Sequence, residues 1–526
     1  MMHLGVEQRF GKNLAVSVLR TQSTPKKCVH QRHFNRRTIY TSVHKLAHRK
    51  TKMKQKRNVE SEGASPAPPG SNLPEQSMES ISGSVGERKR SSWKDLRARL
   101  RALCGAPLAT FERLDFKSSS PRIGSGSGHQ LLASWNIDHT DNIYVPGAPP
   151  RLSLPTSPSI NLNWSLMPAT VVRKVRGLST SSDPLFESAR FMSPKFEFRS
   201  LDVFCDLETI IDLYNGRDMI TISTLPGTPA FLSRLRSKSL SRFSAPNADG
   251  RTELGPDPRI GAPFKCELST VQQRGFAFEA AITQKETGLP PQTRHFRVIR
   301  YDFGQIALAI RFEVDAWEPV ADRALHSDSG SHNNRYDVSD HTAKKDRGTE
   351  RKVILAGYVV DASETVEIKT SKDDIRERFK GYLSDQYLAQ AWFSRKSKLC
   401  LGMYNSNHDF RVETRNMSEG FALWERKHRS RLRWLHNFLR RVTTEVSKSS
   451  SKHCVAVPLN RSPGVEGRRW ELYEVESGGL RFSDHMDFLA RMAEYDSQSD
   501  QACSKGDRSS FPLELKDLCR PAVSVG

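Results

Sequence analysis

Between Gln305 and Asp315 the sequence alternates almost without exception. Ile306, Leu308, Ile310, Phe312 and Val314 fall on one parity, and Ala307, Ala309, Arg311, Glu313 and Asp315 on the other. Successive side chains of a β-strand point to opposite faces, so this period of two predicts a strand buried on one side. Its other side ends in two acids. A second run, Thr365 to Lys369, sends Val366 and Ile368 one way and Thr365, Glu367 and Lys369 the other. Any fold of this chain has to cover both apolar faces while leaving the charged ends a tolerable environment.

The surrounding sequence predicts how that is done. Val353 to Val360 is a further apolar run, and a helix is expected over about 373–392, packing Ile375, Phe379, Tyr382 and Leu383. Leu399 to Tyr404 and Phe410 to Thr414 flank Asn405-Ser406-Asn407-His408 as a hairpin does. A long helix is expected from about 424 to 446, presenting Leu432, Leu435, Phe438, Leu439 and Val442, with strands near 454–459 and 470–475 closing a sheet. Strands beside helices, with hairpins as well, predict an α+β fold of mixed, twisted sheets flanked by helices.

Composition limits how much of the chain takes part. Of 526 residues only 37% are hydrophobic, which suits one sizeable core with long solvated segments. Met1 to Asn58 holds about +14 of the net +22, against the single acid Glu7. Residues 1–90 are expected to be a disordered basic tail and a Ser/Pro-rich linker. The folded domain is expected over 91–496, opening on a helix with Trp93, Leu96, Leu100 and Leu103, and carrying irregular insertions at about 234–263 and 319–351. Residues 497–526 read as mostly irregular. The acid-poor N-terminus has the composition of a mitochondrial transit peptide; its Lys/Arg clusters suit nuclear import equally, and a tail with no address is the third reading. Eight cysteines without a CxxC favour a reducing compartment, and no apolar run approaches the ~20 residues of a membrane span, so no membrane partner is expected.

The chemistry lies in the two tripeptides Glu313-Val314-Asp315 and Glu367-Ile368-Lys369. Spacing of i, i+2 in a strand puts both side chains on one face, roughly 7 Å apart. If the strands neighbour each other, three carboxylates and an ammonium converge, and the acids repel unless a cation neutralises them. Mg²⁺ or Mn²⁺ suits such oxygen donors, and can hold a phosphate oxygen and acidify a bound water. On patterning alone a solvated charged sheet face is the competing reading. Other signals are weaker. Asp373-Asp374-Ile375-Arg376-Glu377 reads as acids at a helix N-terminus, Ser483-Asp484-His485 cannot converge as a triad, and no HExxH or P-loop is present. Arg426, Lys427, Arg429, Arg431, Arg433, Arg440 and Arg441 form either a solvated helix face or a nucleic-acid contact.

Taken in order, Gly275-Phe276-Ala277-Phe278-Glu279, Glu313-Val314-Asp315, Glu367-Ile368-Lys369, Ala389-Gln390 and Leu401-Gly402 resemble the motif series of the eukaryotic DXO-type decapping nuclease family. Val145-Pro146-Gly147-Ala148-Pro149 and Trp424-Glu425 resemble a fungal branch of it. The resemblance implies a nuclease-like catalytic core that hydrolyses incomplete or NAD-type caps at RNA 5′ ends. It also implies release of pyrophosphate from 5′ triphosphates and, in some members, 5′→3′ degradation. By the same resemblance Glu279, Asp315 and Glu367 ligate the metal, Glu313 does so directly or through water, and the Ile368 carbonyl adds a ligand. Lys369 and Gln390 handle the attacking water and the scissile phosphate. RNA 5′ ends are the implied substrate and a 5′→3′ exoribonuclease the implied partner; the expected location is the nucleus, with cytoplasm, or mitochondrion if the N-terminus is a transit peptide, as alternatives. The family's upstream arginine is missing: Leu207 stands in its place, with Arg217 or Arg311 as substitutes. A family member that binds RNA ends or the exoribonuclease without turnover, and a nuclease without 5′-end preference, are the other readings.

Overall fold

The computed structural model describes residues 98, 101–102, 104–112, 123–124, 128–157, 159–162, 183–235, 270–291, 293–319, 352–372, 385–405, 407, 409–459, 469–475 and 483–504. The chain divides after Arg88, and every described residue belongs to the second unit. The expected N-terminal tail, the insertions beyond Leu235 and Pro319, the 373–384 part of the expected helix, and 505–526 lie outside the described residues, as does most of the helix expected near Trp93.

Two mixed sheets carry the fold. The larger has eleven strands, and at its centre Val203–Asp206, Ile306–Glu313, Arg294–Phe303 and His129–Ile137 lie side by side. The smaller has seven, and its middle is Asp409–Asn416, Lys398–Tyr404, Thr365–Lys372 and Ala316–Trp317. The hairpin expected around residue 405 is present, Tyr404 opposite Phe410. Thr365–Lys372 runs parallel to Lys398–Tyr404, as strands joined through a helix do. That helix is Asp385–Ser394.

The alternation at 305–315 folds as a strand, but one covered on both sides. Ile306, Leu308, Ile310 and Phe312 enter the larger core beneath the Ser418–Lys448 helix. Ala307 and Ala309 face a second core with Leu185, Phe186, Phe488 and Leu489. Methyl side chains on that parity let the Asp183–Met192 and Ser483–Ser504 helices lie close, so an apparently half-polar face is closed over. The Ser483–Ser504 helix extends past the boundary expected at residue 497. Its buried Phe488, Leu489, Met492 and Tyr495 are spaced i, i+1, i+4, i+7, the signal that identifies it. Among the described residues no helix is long and apolar enough to cross a membrane.

The strand Ile306–Glu313 stops one residue before Val314, whose N–H donates to the His295 carbonyl at 3.0 Å. Two residues later the chain is paired in the other sheet, with Ala316 opposite Val366. Asp315 therefore occupies the step between sheets.

Candidate active site at the crossing of the two sheets

Four of the expected residues meet at this step. Asp315 Oδ2 accepts the Ile368 N–H at 2.8 Å and lies 3.9 Å from Lys369 Nζ. Glu367, 6% exposed, has one carboxylate oxygen on the Lys369 ammonium and the other on that of Lys396. Lys396 Nζ also donates to the Glu313 carbonyl at 2.8 Å, tying the ends of the two strands together. Lys369 Nζ donates to the Ile368 carbonyl at 3.2 Å. The Glu313 side chain is gripped by Arg294, Nε to Oε1 at 2.8 Å and Nη2 to Oε2 at 2.5 Å.

Glu279 arrives from a helix, Thr270–Ile282, packed on the smaller sheet through Ala277, Phe278 and Ile282. Phe278 stacks on Phe410 at 5.2 Å, and its ring lies so close to Gly402 that a Cβ there would come within 2.6 Å. The glycine thus permits the approach that brings Glu279 toward the acids. Burial, then the charges of Asp315 and Glu313, push the Glu279 carboxyl up to about 8. Burial and the Glu367 charge push Asp315 up to about 6. Burial also opposes ionisation of Glu367, but Lys369 and Lys396 outweigh it and hold that carboxyl at about 2. Lys369 in turn is raised by Glu367 and Asp315 against the opposing effect of burial. Carboxyls of one cluster driven in opposite directions are characteristic of catalytic sites.

Gln390 stands apart. It lies on the Asp385–Ser394 helix with a buried Oε1 that no described group donates to. Leu207 packs against the larger core at the start of the Leu207–Asn215 helix, so its position serves packing. Of the two substitute arginines, Arg217 is exposed past that helix. Arg311 shares the Glu313 face and is held by Asp206, Nε to Oδ1 at 2.7 Å and Nη2 to Oδ2 at 3.1 Å.

Glu279 and Asp315 are hard oxygen donors, and the charge of Asp315 helps to push the Glu279 carboxyl up, an effect that a cation would relieve. Glu313 and Glu367 are already neutralised by Arg294 and the two lysines. Among the described residues no group of three or more His, Cys, Asp and Glu side chains is gathered tightly enough to hold a metal ion. Without further rearrangement the site offers an acceptor near neutrality, Asp315, and an ammonium, Lys369, able to bond a phosphoryl oxygen.

Lys396 and Arg294 were not legible as site residues. Lys396 sits in Ser394-Arg395-Lys396-Ser397-Lys398, which reads as a solvated turn, and Arg294 reaches Glu313 through a register, Phe296 opposite Glu313, that no spacing reveals.

A family model described as a domain of unknown function (DUF8563) matches residues 265–473, which contain all of these acids and lysines. No curated protein matches the chain. Among solved structures, the chain is similar to Scheffersomyces stipitis Rai1 at 13% identity, covering 73% of this chain and 96% of that one, with a TM-score of 0.46. Candida albicans Rai1 in complex with pU5-Mn²⁺ matches at 14% identity over 73% and 100% of the two chains, TM-score 0.45. K. lactis Dxo1 in complex with manganese matches at 10% identity over 70% and 99%, TM-score 0.38.

Proposed function

We propose that this chain is a hydrolase of phosphoanhydride and phosphodiester bonds at RNA 5′ ends, removing incomplete or NAD-type caps and pyrophosphate, and degrading 5′→3′, with Mg²⁺ or Mn²⁺ as cofactor. The observation that carries the reading is the meeting of Asp315, Glu367 and Lys369 at the step between the sheets, with the Glu279 carboxyl pushed up by burial and by the charges of Asp315 and Glu313. The order of the motifs supplies the RNA 5′ end as substrate. Glu279 and Asp315 would hold the cation, which would supply an acidified water and screening of the phosphoryl charge. Lys369 orients the attacking water and bonds a phosphoryl oxygen. Gln390 helps to handle the attacking water and the scissile phosphate, and Arg311, pre-oriented by Asp206, replaces the missing arginine for the 5′ phosphate.

Purified protein with Mn²⁺ and NAD-capped, GpppN-capped or triphosphate RNA is expected to release product. Wild-type release no greater than that of Glu367→Ala/Lys369→Ala sinks the proposal. A second reading, binding of RNA 5′ ends or of a 5′→3′ exoribonuclease without turnover, is favoured by Leu207 and by the two lysines that engage Glu367. It expects RNA or exoribonuclease retention by both wild type and the double variant with no product from either.

A further inference from the structure

The short strand Ala316–Trp317 leaves the site in a fixed register, with Ala316 opposite Val366 and Trp317 opposite Thr365. Residues directly opposed in an antiparallel pair share a face. Ala316 and Val366 both enter the core under the Thr270–Ile282 helix, so Trp317 and Thr365 occupy the other face, that of Glu367 and Lys369. Thr365 is two residues from Glu367 and Trp317 two from Asp315, about 7 Å along either strand. The indole therefore stands one strand repeat beyond the acids, on the side away from Lys369.

Its ring is held from several directions. The indole Nε1 donates to Glu286 Oε1 at 2.7 Å, the Trp317 backbone N–H donates to the Pro150 carbonyl at 2.9 Å, and the Arg151 guanidinium lies 5.9 Å from the ring centre. The bond to Glu286 lies in the plane of the indole and leaves stacking unhindered. The partner ring comes from the other sheet. Tyr358 follows Val353–Gly357, the edge strand of the larger sheet, and its N–H donates to the Gly147 carbonyl at 3.1 Å. Tyr358 and Trp317 meet at 5.7 Å with their planes at 84°, a corner built from both sheets. Tyr358 is 37% exposed, and among the described residues the other exposed large hydrophobics are leucines. A lone exposed apolar residue is ordinary. Two rings fixed at right angles, beside an arginine and one repeat from a charged site, suit a flat ligand that carries phosphate.

We propose that Trp317 and Tyr358 form a stacking subsite for the base of the cap nucleotide, with Arg151 meeting the phosphate chain that joins this nucleotide to the RNA. The proposal deepens the hydrolase reading and rests on it for the nature of the ligand. With the scissile phosphate at Asp315, Glu367 and Lys369, the nucleotide that leaves extends toward Trp317, and the RNA chain extends the other way.

The test is calorimetric titration of the full chain with the cap dinucleotide GpppA and, separately, with inorganic tripolyphosphate, which has the phosphate chain and no base. Wild type is expected to bind GpppA more tightly than tripolyphosphate by about tenfold or more, the worth of one base–aromatic stack. Tyr358→Ser, a change at an exposed position, and Trp317→Leu are each expected to lose about tenfold in GpppA affinity and to bind tripolyphosphate as wild type does. Tyr358→Phe, which keeps the ring, is expected to match wild type. Arg151→Gln is expected to weaken both ligands, and no change there overturns the assignment of the phosphate chain to Arg151. Equal affinity of wild type for the two ligands overturns the subsite, as does GpppA binding by Tyr358→Ser unchanged from wild type. A parallel loss of both ligands in Trp317→Leu and Tyr358→Ser also overturns it, because the rings then support the fold of the site and not the base. Product release from capped RNA in Mn²⁺ is measured beside the titrations. Preference for GpppA without release keeps the subsite and removes the hydrolase reading; release without that preference does the reverse.

Discussion

Gln390, on the Asp385–Ser394 helix, and Lys396, two residues past its end, stand in opposite electrostatic circumstances: the amide oxygen of the first is buried with no donor among the described residues, and the ammonium of the second bonds the Glu313 carbonyl and the Glu367 carboxylate. An unpaired buried acceptor is a standing cost that a bound ligand can relieve.

Gln390→Met is accordingly expected to leave the free protein as stable as wild type or more so, by up to about 1–3 kcal/mol, because it removes an unsatisfied acceptor. Turnover of capped RNA is expected to fall on the order of a hundredfold, as for loss of a transition-state hydrogen bond. Chemical denaturation and single-turnover rates measure the two effects; a destabilised variant with unchanged turnover contradicts the assignment.

Stability should vary with pH in a direction set by Asp315 and Glu279. An acid whose folded-state pKa is raised binds more protons folded than unfolded, so stability falls as pH rises from the ordinary carboxylate range to the raised value. Those upper limits are about 6 for Asp315 and about 8 for Glu279. Glu367, held at about 2, has the opposite sign, and its contribution is lost only as pH falls toward 2. In chelator the melting temperature is expected to decline between pH 4.5 and pH 8, ~3.5 units spanning both transitions. Glu279→Gln should flatten the decline, and saturating Mn²⁺ should abolish it.

Gly402→Ala tests how Glu279 is delivered. The added Cβ meets the fully buried Phe278 ring at 2.6 Å, so the helix has to shift, at a cost of about 1–3 kcal/mol. Turnover is expected to fall further than global stability explains. Mn²⁺ affinity unchanged from wild type counts against delivery of a metal ligand by that helix.

Arg311→Ala is expected to raise KM for triphosphate RNA by about tenfold or more, the worth of one charged hydrogen bond, with a smaller effect on kcat. Asp206→Asn, which keeps the side-chain shape but weakens the grip on Arg311, should fall between the two. Equal KM values for wild type and Arg311→Ala assign the 5′ phosphate to another group.

Much of the frame was visible from periodicity alone. The strands at 306–313, 365–372, 398–404 and 409–416, the long helix Ser418–Lys448 and the late strands stand where hydrophobic spacing put them. What periodicity could not give was depth and partnership. Ala307 and Ala309 share a parity with charged residues, and their burial depends on a helix about 180 residues away in sequence, through Phe488 and Leu489. The expectation that ExD and ExK lie near each other rested on spacing, whereas their contact comes from a change of sheet at Val314 and Asp315. The ion pairs that neutralise Glu313 and Glu367 use residues from two further segments, Arg294 and Lys396, whose local sequence is that of ordinary solvated bases.

The change of sheet at Asp315 also fixes how this protein can fail. A reacting group mounted on the hinge line of two layers has no layer of its own, so slippage of either one displaces it at once. Heating should therefore extinguish turnover at the first loosening between layers, before helical signal declines, and enzyme assayed through a melt should show its earliest loss there.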